Sequence, residues 1–115
     1  MTYEYATFID AARQMVTNQS IEFQAFRIKG VGKLTGNCRD KRLNVYYIFV
    51  DEHYRGKGLI RAFFNQLHTL NVDSVAVLAV QSTVLDQYLQ RFVCPVTGAK
   101  FVMHGSDFLL EFPRR

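Results

Sequence analysis

The sequence predicts an α/β domain: a mixed sheet with a central βαβ unit and helices on both faces. Three observations carry this. Leu43 to Val50 (LNVYYIFV) and Val75 to Val80 (VAVLAV) are apolar runs of strand length, the pattern of strands buried on both faces. Between them Leu59, Ile60, Phe63, Phe64, Leu67 and Leu70 recur at helical spacing. Strand, helix and strand in that order give two parallel strands joined by a right-handed crossover.

The remaining elements follow from the same periodicities. A helix is expected over 7–17, where Phe8, Ile9, Ala12, Met15 and Val16 share a face and Thr7 with Asp10 resembles a capping box. Ile21 to Ile28 alternates as a strand, and Gly30, Gly32 and Gly36 punctuate a weaker strand around 31–38. Arg39 to Arg42 is a charged turn, so a hairpin leads into the 43–50 strand. A polar loop, 51–58, precedes the helix over 58–70. Ser82 and Thr83 are caps for a third helix with Val84, Leu85, Tyr88, Leu89, Phe92 and Val93 on its apolar stripe. Pro95 and Gly98 end it, and Lys100 to Met103 and Phe108 to Phe112 are closing strands.

Composition bounds the class. The chain has 115 residues, the size of a single domain spanning 1–115. Hydrophobic residues make up 49% and charged residues 21%, which fits a packed globule and excludes a disordered chain. Ten Phe and six Tyr supply a core without staples. The net charge of +4 suits an anionic ligand, a nucleic acid or an anionic cofactor without selecting among them. No apolar run reaches the ~20 residues that span a bilayer. Met1 to Asp10 lacks the basic and apolar pattern of a signal peptide, and Cys38 and Cys94 make no disulfide framework, so a cytoplasmic setting is the expectation. His53, His68, His104 and the cysteines have no metal-ligand spacing, and no metal is expected.

The loop after the 43–50 strand carries the chemistry. Its glycines, Gly56 and Gly58, let an anion approach the backbone, and the following helix starts with N–H groups that have no intrahelical acceptor. Arg55, Lys57 and Arg61 add positive charge. The loop is neither a Walker loop nor the dinucleotide fingerprint, since it lacks GxxxxGK[ST] and a third glycine.

Val50-Asp51-Glu52-His53-Tyr54-Arg55-Gly56-Lys57-Gly58-Leu59-Ile60 resembles the acyl-CoA signature R/Q-x-x-G-x-G/A of the GNAT superfamily of N-acetyltransferases. Arg55 and Gly58 match its first and fourth positions, and Ile60 departs at the sixth. The resemblance implies a compact GNAT-like fold with a shortened N-terminal part, using acetyl-CoA as cosubstrate and an amine as acceptor. It implies that backbone groups of Ile48, Phe49 and Val50 hold the pantetheine arm, and that the amides of Arg55, Gly56, Lys57, Gly58, Leu59 and Ile60 hold the pyrophosphate. The 75–80 strand would splay away to leave a slot for the thioester. Gln81 stands where the superfamily often has Asn, and Tyr88 where it has the tyrosine that protonates the leaving thiolate. Few residues are expected for a first strand or a second N-terminal helix, which usually help build the acceptor site in that superfamily, so acceptor recognition is expected at a homodimer interface if it is retained.

Other readings of these residues stay open. Tyr88 also fits a core stripe. Glu52 could take a proton from the acceptor amine, as could Asp51 or His53, and each also fits a solvated loop. Cys94 reads as an inert buried thiol or a nucleophile, and His68 as a surface residue. Basic clusters at Arg27/Lys29/Lys33, Arg39/Lys41/Arg42, Arg55/Lys57/Arg61 and Arg114/Arg115, with Tyr46, Tyr47 and Tyr54 nearby, fit either a solvated face or a nucleic-acid surface. A non-catalytic module of the same fold, binding a protein or nucleic acid with the slot blocked by Ile60, is the alternative to an acetyltransferase. An acyltransferase acting on nucleic acid lies between the two.

Overall fold

The structure is a computed structural model that describes residues 3–113. Arg114 and Arg115 of the last basic cluster lie outside the described residues. Seven strands form one sheet: Tyr3–Tyr5 (β1), Gln24–Ile28 (β2), Gly32–Arg39 (β3), Arg42–Val50 (β4), Ser74–Val77 (β5), Phe101–His104 (β6) and Asp107–Glu111 (β7). Their order across the sheet is β1-β2-β3-β4-β5-β7-β6. The helices are Phe8–Thr17 (α1), Leu59–Asn65 (α2) and Thr83–Arg91 (α3). β1 and β2 pair in parallel, as do β4 and β5, and the other pairs are antiparallel.

The mixed sheet and the central βαβ unit stand as the sequence indicates, with β4, α2 and β5 as the unit. The placement of the helices differs. The β1–β2, β4–β5 and β5–β6 connections each join parallel strands and step the same way across the sheet. Right-handed crossovers therefore put all three helices over one face. The ring contacts agree: Phe8 of α1 lies 6.2 Å from Phe63 of α2, and Phe64 of α2 lies 5.6 Å from Tyr88 of α3. That face is the core. Phe26, Ile28, Leu34, Leu43, Val45, Val75, Phe108 and Leu110 point into it and are buried. Phe64 sits at its centre, ringed by Phe63 at 5.1 Å, Phe101 at 5.9 Å and Phe92 at 6.0 Å.

Several element boundaries differ from the sequence reading, each for a physical reason. β1 was not expected, because a three-residue strand is too short to show a period; it exists by pairing along β2. Ile21 and Phe23 stay exposed outside β2, whose buried residues are Phe26 and Ile28. The expected 58–70 helix ends at Asn65, and a 3₁₀ turn over 67–69 carries Leu67 and Leu70 into the core. An apolar stripe does not distinguish the two helix types at this length. β5 ends at Val77 rather than Val80. The 43–50 run is not buried on both faces: Tyr46 is 53% exposed and Tyr47 49%. The charged turn takes the left-handed conformation at Asp40 (φ 52°) and Lys41 (φ 63°), which matches the twist of the β3–β4 hairpin.

Two glycines let β3 and β4 run close together. A Cβ on Gly32 would stand 1.9 Å from the Phe49 carbonyl oxygen, and one on Gly36 would stand 2.1 Å from that of Asn44. Between them the register slips, so that Thr35 faces Tyr47 while Gly36 faces Val45, leaving Tyr46 as an extra residue in β4. On the second face, buried Asn37 donates to the Ser20 and Ile21 carbonyls (2.9 and 3.0 Å) and accepts from Asn44 (2.9 Å), fixing the segment that enters β2.

Candidate functional site

β4 and β5 are paired from Arg42 and Ser74 to Val45 and Val77, and then they part. Two local features drive them apart. The extra residue Tyr46 bends β4 at the point where pairing stops. On the other side, Leu78 makes the last bond to β4, N–H to Val45 carbonyl at 2.8 Å. Ala79 then turns into the left-handed region (φ 52°), its N–H held by the Asp107 carboxylate at 2.8 Å. Val80 N–H donates to the Ser106 carbonyl at 2.8 Å, so the chain leaves β4 for the β6–β7 hairpin.

The result is a cleft of about 170 Å³ at the fork. Its walls include Tyr46, Tyr47 and Ile48 on one side and Leu78, Val80 and Gln81 on the other, with Leu85 of α3 beside them. Asp51 N–H donates to the carbonyl of Val31, the residue before β3, so strand alternation turns the backbone groups of Ile48 and Val50 to the edge that β5 has left. That edge ends at the glycine loop. Gly56 (φ 79°) and Gly58 (φ 75°) are left-handed, and a Cβ on either would meet nothing within 4 Å, so glycine here serves backbone shape and leaves the approach open. The first intrahelical bond of α2 runs from Ala62 N–H to Gly58 carbonyl. Arg55, Lys57 and Arg61 are exposed. Arg55 is anchored: its Nε donates to the Val50 carbonyl at 3.0 Å, and its guanidinium lies 5.5 Å over the Phe49 ring.

The structure brings some of the sequence-selected residues together and separates others. Ile48, Phe49 and Val50, the loop from Arg55 to Ile60, and Gln81 border the fork or continue from it. Ile60 packs against the core and does not line the cleft, so its bulk leaves the fork open. Glu52 sits exposed in a 3₁₀ turn over 52–54, capped by the Asp51 carboxylate through His53 N–H. Tyr88 packs between Phe64 and Phe92 rather than in the cleft wall; Leu85, one helical turn earlier, takes that position. Leu85, Leu78 and Val80 were not singled out by sequence, since their apolar stripe reads as core. His68, expected at the surface, is half-buried with Nδ1 enclosed and unpartnered. Among the described residues, no group of three or more His, Cys, Asp and Glu side chains comes together as a metal site.

Among the described residues, three groups have displaced proton affinities. Burial pushes the Tyr88 phenol up, partly offset by the Arg61 guanidinium. Burial likewise raises the Cys38 thiol against the opposing Lys41 charge. Burial pushes the Cys94 thiol up too, but bonds from the Thr97 hydroxyl and from the amides of Thr97, Val96 and Gly98 outweigh it, and its pKa is lowered. The Tyr88 shift has a measurable consequence. A folded-state pKa above the unfolded value means the native phenol holds its proton more tightly. Its contribution is whole below about pH 10 and is lost as pH rises through the raised value. The urea midpoint should therefore fall more steeply above about pH 10 in the parent than in Tyr88→Phe. Equal slopes would place the phenol in solvent.

Ala79 gives a second expected outcome. Left-handed backbone at a residue with a Cβ costs about 1–2 kcal/mol, and glycine returns part of that gain as unfolded-chain entropy. Ala79→Gly should thus raise stability by up to about 1 kcal/mol in thermal or urea unfolding.

The fold and site define a two-layer α/β protein whose sheet is forked between two parallel strands. No protein-family model matches the chain, and no curated protein matches it. Among solved structures it is similar to Ard1 from Thermoplasma volcanium at 17% identity, over 90% of this chain and 78% of that one, with a TM-score of 0.45.

Proposed function

We propose that this protein binds an acyl-CoA thioester at the β4–β5 fork and transfers its acyl group to an amine, as a small GNAT-type N-acetyltransferase. The observation that carries the reading is the fork itself. A parallel pair that separates after Val45 and Val77 exposes one strand edge beside an apolar slot, and that edge runs into a glycine loop flanked by cations. An extended amide-bearing arm can add to such an edge as a further strand does. A cleft of about 170 Å³ is where the thioester and a short acyl group would lie. The diphosphate would lie along the loop amides from Arg55 to Ile60, near Lys57 and Arg61.

In the reaction the acceptor nitrogen attacks the thioester carbonyl carbon. The C–N bond forms, the C–S bond breaks, and the leaving thiolate takes a proton. Tyr88 is the proposed proton donor on the strength of its place in the resemblance; its phenol carries a proton at neutral pH, and it sits one helical turn beyond Leu85 of the cleft wall. Glu52 is the proposed acceptor of the amine proton, directly or through water. Ile60 packs against the core rather than lining the cleft, which supports this reading over a blocked, non-catalytic slot.

Calorimetry with acetyl-CoA tests the binding step. Saturable binding, weakened at least about tenfold by Gly58→Tyr, is expected. No heat at millimolar acetyl-CoA overturns the proposal. Thiol release with a panel of amines tests Tyr88: Tyr88→Phe should lower turnover by about 10² or more with unchanged acetyl-CoA affinity. Unchanged turnover returns Tyr88 to the aromatic core.

A further inference from the structure

The second face of the sheet has no helix over it among the described residues, and it carries aromatic rings where a solvated face carries polar groups. Register sets Arg27, Lys33 and Phe49 in one row across β2, β3 and β4, and Ala25, Thr35 and Tyr47 in the next. Tyr47 and Phe49 lie 6.2 Å apart with planes 4° from parallel. Tyr46 meets Phe23 at 5.3 Å, and Phe23 is 48% exposed. Two ring pairs, with Phe23, Tyr46 and Tyr47 exposed and Phe49 half-buried, therefore lie beside exposed Arg27 and Lys33. In the first row the acidic neighbour is Glu4, opposite Arg27.

The chemistry of the platform selects its occupant. Exposed rings in contact offer π faces, and the adjoining cations offer phosphate contacts, which together match a flexible polyanion with stackable bases. A duplex keeps its bases stacked internally and could use only the cations. A second copy of this chain would add no stackable bases and no phosphates to this face, so it matches the chemistry less well. We propose that this open face binds single-stranded nucleic acid, with bases on Tyr47 and its neighbouring rings and phosphates on Arg27 and Lys33. The face shares Tyr46 and Tyr47 with the wall of the fork, and oligonucleotide binding is read without acetyl-CoA, so its failure and the failure of acyl transfer are distinguishable.

Fluorescence anisotropy of the full chain with a labelled twelve-nucleotide oligothymidylate, and with a duplex of equal length, tests it. The expected result is salt-sensitive binding that favours the single strand. Tyr47→Ala should weaken it about tenfold, and the Arg27→Glu/Lys33→Glu pair by at least as much. Circular dichroism confirms that each variant is folded. No binding at 100 µM protein in low salt overturns the proposal. So does equal affinity for the duplex with no effect of Tyr47→Ala, which is plain charge attraction. Concentration-dependent dimerisation abolished by Tyr47→Ala, without oligonucleotide binding, assigns the face to self-association instead.

Discussion

Phe64→Ala should destabilise the protein by about 3–5 kcal/mol, read as a drop in the urea midpoint at unchanged slope. Phe64 is fully buried and touches the rings of Phe63, Tyr88, Phe92 and Phe101. Those rings come from α2, the end of α3 and β6, so the cavity would open where three elements meet and none can collapse alone. For a domain whose whole stability is about 5–15 kcal/mol, that is a large share. Should Phe64→Ala fail to fold, Phe64→Leu keeps most of the volume and should cost about 1–2 kcal/mol. A loss below that from the alanine variant would mean the ring cluster is not tightly packed.

Gly32→Ala should cost about 3 kcal/mol or more, from a single added methyl. Its Cβ would fall 1.9 Å from the Phe49 carbonyl oxygen and 3.2 Å from the Phe8 ring. The first contact is with backbone, so relief requires β4 to move away from β3 at the segment that borders the fork. Stability and acetyl-CoA affinity should fall together. Gly56→Ala is the contrast: its backbone is left-handed but its surroundings are open, so strain alone costs about 1–2 kcal/mol. A Gly32→Ala loss no larger than that of Gly56→Ala would show that the two strands can part freely.

The fold class was legible because its signals are long. LNVYYIFV, VAVLAV and the stripe between them fix a βαβ unit by period alone, and Ser82 caps α3 as its side chain suggests, accepting from Leu85 N–H. The fork was accessible only through the resemblance of the Arg55–Ile60 loop. What produces it physically is one extra residue in β4 and one left-handed alanine, and neither has a sequence signature. Tyr46 reads as part of a strand, and Ala79 is the residue type least suggestive of a turn. The bare second face was equally hidden. Alternation shows that a strand has two faces, but it does not say whether a helix lies over each.

The clasp between Ala79 and Asp107 sets an order on assembly. Ala79 and Val80 owe their direction to Asp107 and Ser106 of the β6–β7 hairpin, and β7 must insert between β5 and β6 to bring those partners into place. β4, α2 and β5 can meet early through a short crossover, but the shape of the fork waits on a contact 28 residues further along. A nascent chain would thus hold its core strands before it holds its cleft. Ligand binding would then report on the docking of β7 rather than on the folding nucleus.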